Sequence, residues 1–205
     1  MTQSRNVKAA IAIAALSLPL MYGLLHVVDG VFARMAVFYA VATPACLLAV
    51  KLDWKKLLRD LPRMAGLGLA LALVLYCFAW VGFGLIRRVF PEFAAQSHEF
   101  YGWMRDDGSL VMWLLILFVI VGEEIVWRVA VTLPLVEKWK HWGVLAGAAG
   151  FAAMHLPWGP PLLILAAFVF GGCWSFIIWR TQSLWCSLAS HLLWDAMVMW
   201  IAPLA

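Results

Sequence analysis

The chain has 205 residues, of which 65% are hydrophobic and only 13% are charged, and its mean hydropathy is +0.92. This composition excludes a soluble globular protein, because too few polar residues remain to cover a water-exposed surface. The net charge of +4 is concentrated beside apolar segments, as orientation in a membrane requires, and gives no support to nucleic-acid binding. We therefore expect an all-α, polytopic membrane helix bundle.

Seven apolar segments are candidates for transmembrane helices, because a bilayer core of about 30 Å requires about 20 residues of helix. In chain order they are residues 7–28, 31–50, 64–86, 110–135, 143–158, 161–179 and 184–204. No small-residue cleavage site follows the first segment, so we expect it to be retained and not removed as a signal peptide. Because no long linker or fixed-period repeat is present, residues 1–205 are predicted to form one domain.

Polar segments connect the predicted helices. Residues 51–63 combine leucines at helical spacing with five basic residues, which predicts an amphipathic segment on an anionic membrane surface. Residues 87–108 mix acidic and basic side chains and are predicted to be a solvated loop. The fourth segment should end near Pro134, before a polar linker at 137–142. The fifth contains three glycines that should allow close approach to neighbouring helices: Gly143, Gly147 and Gly150.

Lysine and arginine are distributed unequally between the two sides of the predicted bundle. Ten lie on the side of the N-terminus: Arg5, Lys8, Lys51, Lys55, Lys56, Arg59, Arg63, Lys138, Lys140 and Arg180. Four lie on the other side: Arg34, Arg87, Arg88 and Arg105. Because basic residues are enriched in cytoplasmic loops, we predict a multi-pass protein of the inner (plasma) membrane with a cytoplasmic N-terminus and the C-terminus on the opposite side.

The fourth segment contains three ionisable residues, Glu123, Glu124 and Arg128. Residues 110–122 alone reach only about 20 Å at about 1.5 Å per residue, so a spanning helix must continue through the charged residues. In the alternative, the helix ends at Glu123 and the charges lie in the membrane interface. We favour the continuous helix, because apolar residues flank Arg128 on both sides and ionisable groups within a membrane usually mark a functional site.

Two pairs of polar residues are spaced four apart on the predicted helices. Glu124 and Arg128 share a helix face and can form an ion pair, whereas Glu123 is rotated by about 100° and is free to face a cavity. His191 and Asp195 share a face of the seventh segment, where a carboxylate could orient or charge the imidazole.

Estimated depths place four polar residues from three helices in one layer of the membrane. The depths from the N-terminal side are about 10 Å for Glu123 and His191, about 16 Å for Asp195 and about 18 Å for His155. We therefore expect these side chains to meet.

Three short motifs follow one another in these segments: EEIVWR fits EExxxR, residues 151–155 fit FxxxH, and residues 191–195 fit HxxxN/D. Together they resemble the CAAX protease and bacteriocin-processing (Abi) family of glutamate-type intramembrane proteases. The likeness covers about 110–205, the expected catalytic core, whereas the N-terminal helices at 7–86 carry no matching motif. It implies an intramembrane endopeptidase that hydrolyses a peptide bond in a membrane-associated protein or peptide.

The resemblance implies catalytic roles for six residues: Glu123, Glu124, Arg128, His155, His191 and Asp195. The first glutamate would activate water together with the histidine of the fifth segment, the arginine would hold the second glutamate, and His191 with Asp195 would stabilise the oxyanion. Many relatives have Asn at the last position, and an amide can donate to an oxyanion whereas an ionised aspartate cannot. Asp195 must then be protonated or, as we expect, orient and charge His191.

A metal site is an alternative, since two histidines with Glu123 would make a three-ligand set. The motifs HExxH, GxSxG and GxGD of other intramembrane proteases are absent from the sequence, and its four cysteines lack a CxxC spacing. With neutral histidines the polar cluster would carry two net negative charges in lipid, which protonation or a bound cation must relieve. Because the resemblance points to a metal-free enzyme, we expect no metal and no cofactor.

Two other functions fit a buried relay of Glu, His and Asp side chains. One is a proton-coupled transporter, although no internal repeat is visible. The other is a non-proteolytic membrane immunity or scaffold protein, because relatives of the family are linked to bacteriocin self-immunity. The expected partners are the lipid bilayer and a membrane-associated substrate. Prenylated C-terminal peptides, bacteriocin leaders and C-terminal anchors of surface proteins are all compatible with the sequence.

Overall fold

The structure, a computed structural model, describes residues 2–105 and 110–204. Its regular secondary structure in those ranges is entirely helical. Before residue 106 the helices are α1 (Thr2–Leu24), α2 (Val31–Ala49), α3 (Trp54–Leu57), α4 (Leu61–Val89), α5 (Pro91–Ala94) and α6 (Ser97–Arg105). After residue 109 they are α7 (Leu110–Glu123), the π-helix π1 (Glu124–Thr132), α8 (Leu133–Trp139), α9 (His141–His155), α10 (Pro161–Thr181), α11 (Leu184–Ala196) and the π-helix π2 (Met197–Ile201).

Six of the described helical segments are long and apolar enough to cross a membrane, so the chain is a multi-pass membrane protein, as predicted. One of them, Leu110–Trp139, is a continuous run of α7, π1 and α8. The fifth predicted segment forms α9, which has only 15 residues and reaches about 22 Å. The prediction of an all-helical membrane bundle is thus confirmed, with six long helices and one short one.

Hydrogen bonds between connecting segments assign the helix ends to two faces. The Asn6 side chain donates through Nδ2 to Lys51 O at 3.0 Å, which defines an N-terminal face. At the opposite face, Leu162 N donates to Gln96 Oε1 at 2.9 Å, so the start of α10 lies beside the short helices α5 and α6. Leu57 of α3, soon after Lys51, packs in one cluster with Leu133 and Val136 of α8, which places the end of α8 at the N-terminal face. Since α10 begins at the opposite face, α9 traverses the bundle despite its length.

The continuous helix Leu110–Trp139 is the centre of the fold. Residues 126–136 are all buried, and Trp127 packs in a core that α1, α2 and α9 also supply. The Trp127 indole donates through Nε1 to Tyr39 Oη of α2 at 3.1 Å. Protein therefore encloses the second half of this helix on all sides, which explains how charged residues can lie in it.

Helix α9 packs very closely against the central helix, as its glycines predicted. A Cβ at Gly143 would lie 2.5 Å from Leu135 C, and a Cβ at Gly147 would overlap Thr132 Oγ1. Because these separations are far below van der Waals contact, a side chain at either position would push the two helices apart. By holding α9 close to the central helix, the glycines help to set the position of His155, the last residue of α9.

The fourth helix does not end near Pro134, contrary to the prediction, and the alternative end at Glu123 is also wrong. Leu133 N–H donates to Arg128 O, five residues back. Pro134 then lies in the first turn of α8, at the change from π to α bonding, where a missing N–H is tolerated. The helix therefore continues, and the predicted linker shrinks to a break at Lys140, whose φ is 53°.

The predicted solvated loop at 87–108 is largely helical where the structure describes it, through α5 and α6. Tyr101 of α6 donates its hydroxyl to Val198 O at 3.0 Å and accepts from Leu204 N at 2.8 Å. The loop prediction is wrong because the charged residues concealed an amphipathic helix that covers the end of the bundle. Its last part lies outside the described residues: Asp106, Asp107 and Gly108.

Candidate active site

Six polar residues predicted from the sequence are buried, and they lie on three stretches of helix: Glu123, Glu124, Arg128, His155, His191 and Asp195. The first three surround the junction of α7 and π1. π-Helices are rare and are frequently found at functional sites, because i→i+5 bonding moves side chains away from their α-helical positions. His155 is the last residue of α9, and His191 and Asp195 lie on α11.

His191 is the centre of the polar cluster. Its Nδ1 lies 2.9 Å from Glu124 Oε1, and because an ionised carboxylate only accepts, Nδ1–H is the donor. Its Nε2 lies 3.6 Å from Glu123 Oε2 and 3.7 Å from Asp195 Oδ2. Three carboxylates therefore surround one imidazole, and an imidazolium here would balance part of their charge.

Arg128 is fully buried beside Glu124. Its Nε lies 3.4 Å from Glu124 Oε1, the oxygen that also accepts from His191. The guanidinium carbon lies 4.2 Å from the ring centroid of Phe151 and 5.5 Å from that of Trp174. One carboxylate and two aromatic faces thus surround the cation, and the ion pair holds the carboxylate that receives the His191 hydrogen bond.

His155, at the end of α9, lies on a different wall of the site from the five polar residues of α7, π1 and α11. Its Nδ1 is 2.8 Å from Phe151 O, and because a carbonyl only accepts, Nδ1–H donates and Nε2 retains a lone pair in the neutral imidazole. No hydrogen bond or ion pair joins His155 to Glu123 in the part of the chain that the structure describes. Five of the six residues thus form one contact network, and His155 stands apart from it.

A cavity of about 310 Å³ connects the two walls. Four of the six residues line it: Glu123, His155, His191 and Asp195. Most of the remaining lining is apolar and comes from α2, α4, α6, α7, α10 and the end of α11. Because Phe100, Tyr101 and Leu162 line it as well, the cavity extends from the polar cluster towards the face opposite the N-terminus.

The estimated depth of Glu123 is wrong, because the helix continues beyond Pro134. Glu123 lies about 24 Å along the helix from Trp139 at about 1.5 Å per residue, and not about 10 Å from that end. Its carboxylate nevertheless meets His191. The convergence of these side chains therefore does not depend on equal distances along their helices.

Two aromatic contacts at the site were not predicted. The Trp174 indole stacks on the His191 imidazole with centroids 3.6 Å apart, and Phe151, noted only as a motif residue, lies under Arg128. The chain has 13 tryptophans, so composition offers no signal that would single out Trp174. Its contact joins two helices, and local spacing cannot predict such a contact.

In the described residues, no group of three or more His, Cys, Asp or Glu side chains could hold a metal ion. The set of two histidines with Glu123 that the sequence allowed is not gathered around one point, because His155 and His191 occupy different walls. The expectation of a metal-free site stays a prediction, which the metal content of the purified protein can test.

Comparison with known proteins yields one family. Residues 106–197 match the family model described as type II CAAX prenyl endopeptidase Rce1-like. No curated protein and no solved structure matches the chain. The matched segment contains all six polar residues of the site and overlaps most of residues 110–205. The match supports the resemblance to the CAAX protease and bacteriocin-processing (Abi) family that the motifs of these residues indicated.

Proposed function

We propose that the protein is a glutamate-type intramembrane endopeptidase that hydrolyses a peptide bond in a membrane-associated protein or peptide. The observation that carries this proposal is that Glu123 and His155 line one cavity together with His191 and Asp195. A concave, mainly apolar space with a few convergent polar groups is the usual form of a substrate site. The match to a family of endopeptidases supports this class of reaction.

Glu123 and His155 activate the hydrolytic water. Water between them donates one hydrogen bond to the Glu123 carboxylate and one to His155 Nε2, which is an acceptor because Nδ1–H is bonded to Phe151 O. Glu123 takes a proton as the water oxygen attacks the substrate carbonyl carbon. The new C–O bond forms while the electron pair of the carbonyl π bond moves to its oxygen.

His191 stabilises that oxyanion through Nε2. Its Nδ1 is occupied by Glu124, so in the imidazolium form Nε2–H is the donor that remains for the reaction. Asp195, 3.7 Å away, orients this ring and supports its positive charge. The imidazolium also lowers the net charge of the cluster from two negative charges to one, which relieves part of the buried charge expected from the sequence.

The intermediate then collapses by breaking the C–N bond. The proton held by Glu123 passes to the leaving amine, so that water is divided between the new acid and the new amine. Glu124 and Arg128 take no part in this transfer. Their ion pair at 3.4 Å fixes the oxygen that orients His191.

The apolar lining of the cavity suits an apolar or lipid-modified peptide segment. The family description names CAAX prenyl substrates, so prenylated C-terminal peptides are the first class to examine, followed by bacteriocin leaders and C-terminal anchors of surface proteins. We place the protein in the plasma membrane with the basic N-terminal face in the cytoplasm, because basic residues favour that side.

Co-expression with representatives of these three substrate classes tests the proposal, with mass spectrometry to identify the cut fragment. The parent should produce a defined fragment that Glu123→Gln does not produce, because the amide cannot take a proton from water. Glu137→Gln is the matched control, since Glu137 is exposed on the same continuous helix. A fragment that persists at the same rate in Glu123→Gln would overturn the assignment of the base, and cleavage of no class would contradict the endopeptidase.

A further inference from the structure

Trp174 of α10 lies flat against the His191 imidazole. Their ring centroids are 3.6 Å apart and their planes differ by 23°. Trp174 is only 2% exposed and belongs to none of the three sequence motifs. Two other rings hold its indole in place: Trp194 meets it edge-on at 5.4 Å, and Phe170 lies 6.3 Å away. The indole is therefore a fixed surface and not a mobile neighbour.

The hydrogen bond to Glu124 restrains His191 Nδ1 at 2.9 Å but does not by itself fix the plane of the imidazole. Coupled changes of the His191 torsions χ1 and χ2 could tilt the ring about Nδ1 and move Nε2 away from Glu123 and Asp195. A ring stacked on one face opposes this movement, because the imidazole would collide with the indole as its plane tilted. Glu124 thus determines where Nδ1 lies, and the indole determines where Nε2 points.

We propose that Trp174 is a positioning residue, which holds the plane of His191 so that Nε2 faces Glu123, Asp195 and the cavity. This inference rests on the proposed function, in which Nε2–H is the donor to the oxyanion. The negative face of the indole also attracts the positive charge of an imidazolium. Trp174 therefore acts on both the orientation and the charge of the donor.

Arg128 connects this stack to the second histidine. Its guanidinium carbon lies 5.5 Å from the Trp174 centroid and 4.2 Å from the Phe151 centroid, and the Phe151 ring meets His155 edge-on at 4.9 Å. Each histidine thus contacts an aromatic ring that also lies over the same guanidinium, and His155 has a second ring neighbour in Trp158 at 5.0 Å. Because Trp174 is the ring that stacks on His191, it is the position at which the inference is tested most directly.

The test compares Trp174→Leu with Trp174→Phe, using initial rates on one substrate that the parent cleaves. Leucine removes the aromatic face, and we expect kcat to fall about 10- to 100-fold with little change in KM, because small displacements of a reacting group have effects of that size. Trp174→Phe keeps a flat ring against His191, and its kcat should lie close to that of the parent. Trp179→Leu is the matched control on the same helix, and its kcat should equal that of the parent.

The split between kcat and KM separates positioning from two other roles. If Trp174 only contacted substrate, KM would rise and kcat would not change. If it only supported the fold, both variants would lose active protein and the kcat of the folded fraction, isolated by size-exclusion chromatography, would equal that of the parent. Either result would overturn the inference. If Trp174→Leu does not fold, Trp174→Met replaces it in the same assay, since methionine adapts to irregular spaces.

Glu123→Gln is measured on the same substrate, so that the two proposals can fail separately. Unchanged cleavage by Glu123→Gln would show that the proposed function fails, whatever happens at Trp174. Inactive Glu123→Gln together with fully active Trp174→Leu would leave the proposed function in place and refute only the positioning role.

Discussion

Glu123 and Glu124 are adjacent in the sequence, yet they belong to two regions of the site. The cavity wall contains Glu123 and Asp195, which are 5% and 7% exposed, whereas the sealed layer behind it contains Glu124 and Arg128, which are both 0% exposed. His191 joins the two regions, with Nδ1 in the sealed layer and Nε2 at the cavity wall. Under the proposed function, the comparison teaches that a glutamate takes part in the reaction where it meets the cavity and orients a neighbouring side chain where it is enclosed.

The largest expected effect is on turnover and comes from the cavity wall. Glu123→Gln should lower kcat by about 10²- to 10⁴-fold, the range that general acid–base catalysis contributes. Its melting temperature in detergent should equal that of the parent, because the amide keeps the shape of the carboxyl group. Steady-state rates and thermal unfolding of the same preparation are the measurements, with Glu137→Gln as control. If Glu123→Gln lost stability as well as activity, Glu123 would support the fold as Arg128 is expected to do, and the two regions would not differ in role.

The sealed layer should respond in the opposite way. Arg128→Ala removes the guanidinium from the buried Glu124 carboxylate, which then retains the His191 hydrogen bond, and this loss should cost about 3–5 kcal/mol of unfolding free energy, as in other buried pairs. Arg128→Lys retains the charge but loses the planar group that lies over Phe151 and Trp174, so it should be intermediate. Unfolding in detergent measures all three proteins. Stability of Arg128→Ala equal to the parent's would mean that this layer does not support the site.

Asp195 sharpens the comparison, because it lies on the cavity wall and yet, under the proposed function, acts through His191. Asp195→Ala removes both the carboxylate and any donor, and kcat should fall by about 10²- to 10³-fold, by analogy with the loss of one oxyanion-hole contact. Asp195→Asn offers an amide donor in the same place and should retain more activity. The measurement is kcat for the three proteins on one substrate. Equal losses in both variants would reassign Asp195 to helix packing.

The smallest expected effect is that of removing metals. If protonated side chains balance the charge of the two regions, EDTA should leave activity unchanged and the purified protein should contain no stoichiometric transition metal. Elemental analysis and assays in chelator measure this. Loss of activity in EDTA with recovery on adding zinc would mean that a cation, and not the His191 imidazolium, balances the cluster.

Local spacing predicted much of the central helix and of the site. Residues 110–122 are too short to cross a bilayer, which required the helix to continue through Glu123. The helix does continue, as far as Trp139. Four-residue spacing also anticipated the contacts of Glu124 with Arg128 and of His191 with Asp195. These predictions needed only the rise and pitch of a helix. The functional roles of these residues stay predictions until the variants are measured.

Contacts between distant segments could not be predicted in this way. The hydrogen bond from His191 to Glu124 joins residues 67 positions apart, and its geometry depends on how π1 packs beside α11. The stack of Trp174 on His191 depends on the same packing. The amphipathic α6 was missed for a different reason, since its charged residues resemble those of a solvated connection until Tyr101 is seen bonded to the end of the chain.

The π-helical stretch makes the length of the central helix as important as its composition. Each turn of π1 closes over five residues where an α-helix closes over four, so the side chains that follow it point elsewhere than an unbroken α-helix would direct them. Inserting or deleting one residue within 124–132 would favour one type of turn over the other. The part of the helix before residue 124, which ends at Glu123, would then rotate relative to the part at 132–135, against which Gly143 and Gly147 of α9 pack. The number of residues in 124–132 therefore fixes the rotation between the two parts of the helix, and substitutions that keep this number do not change it.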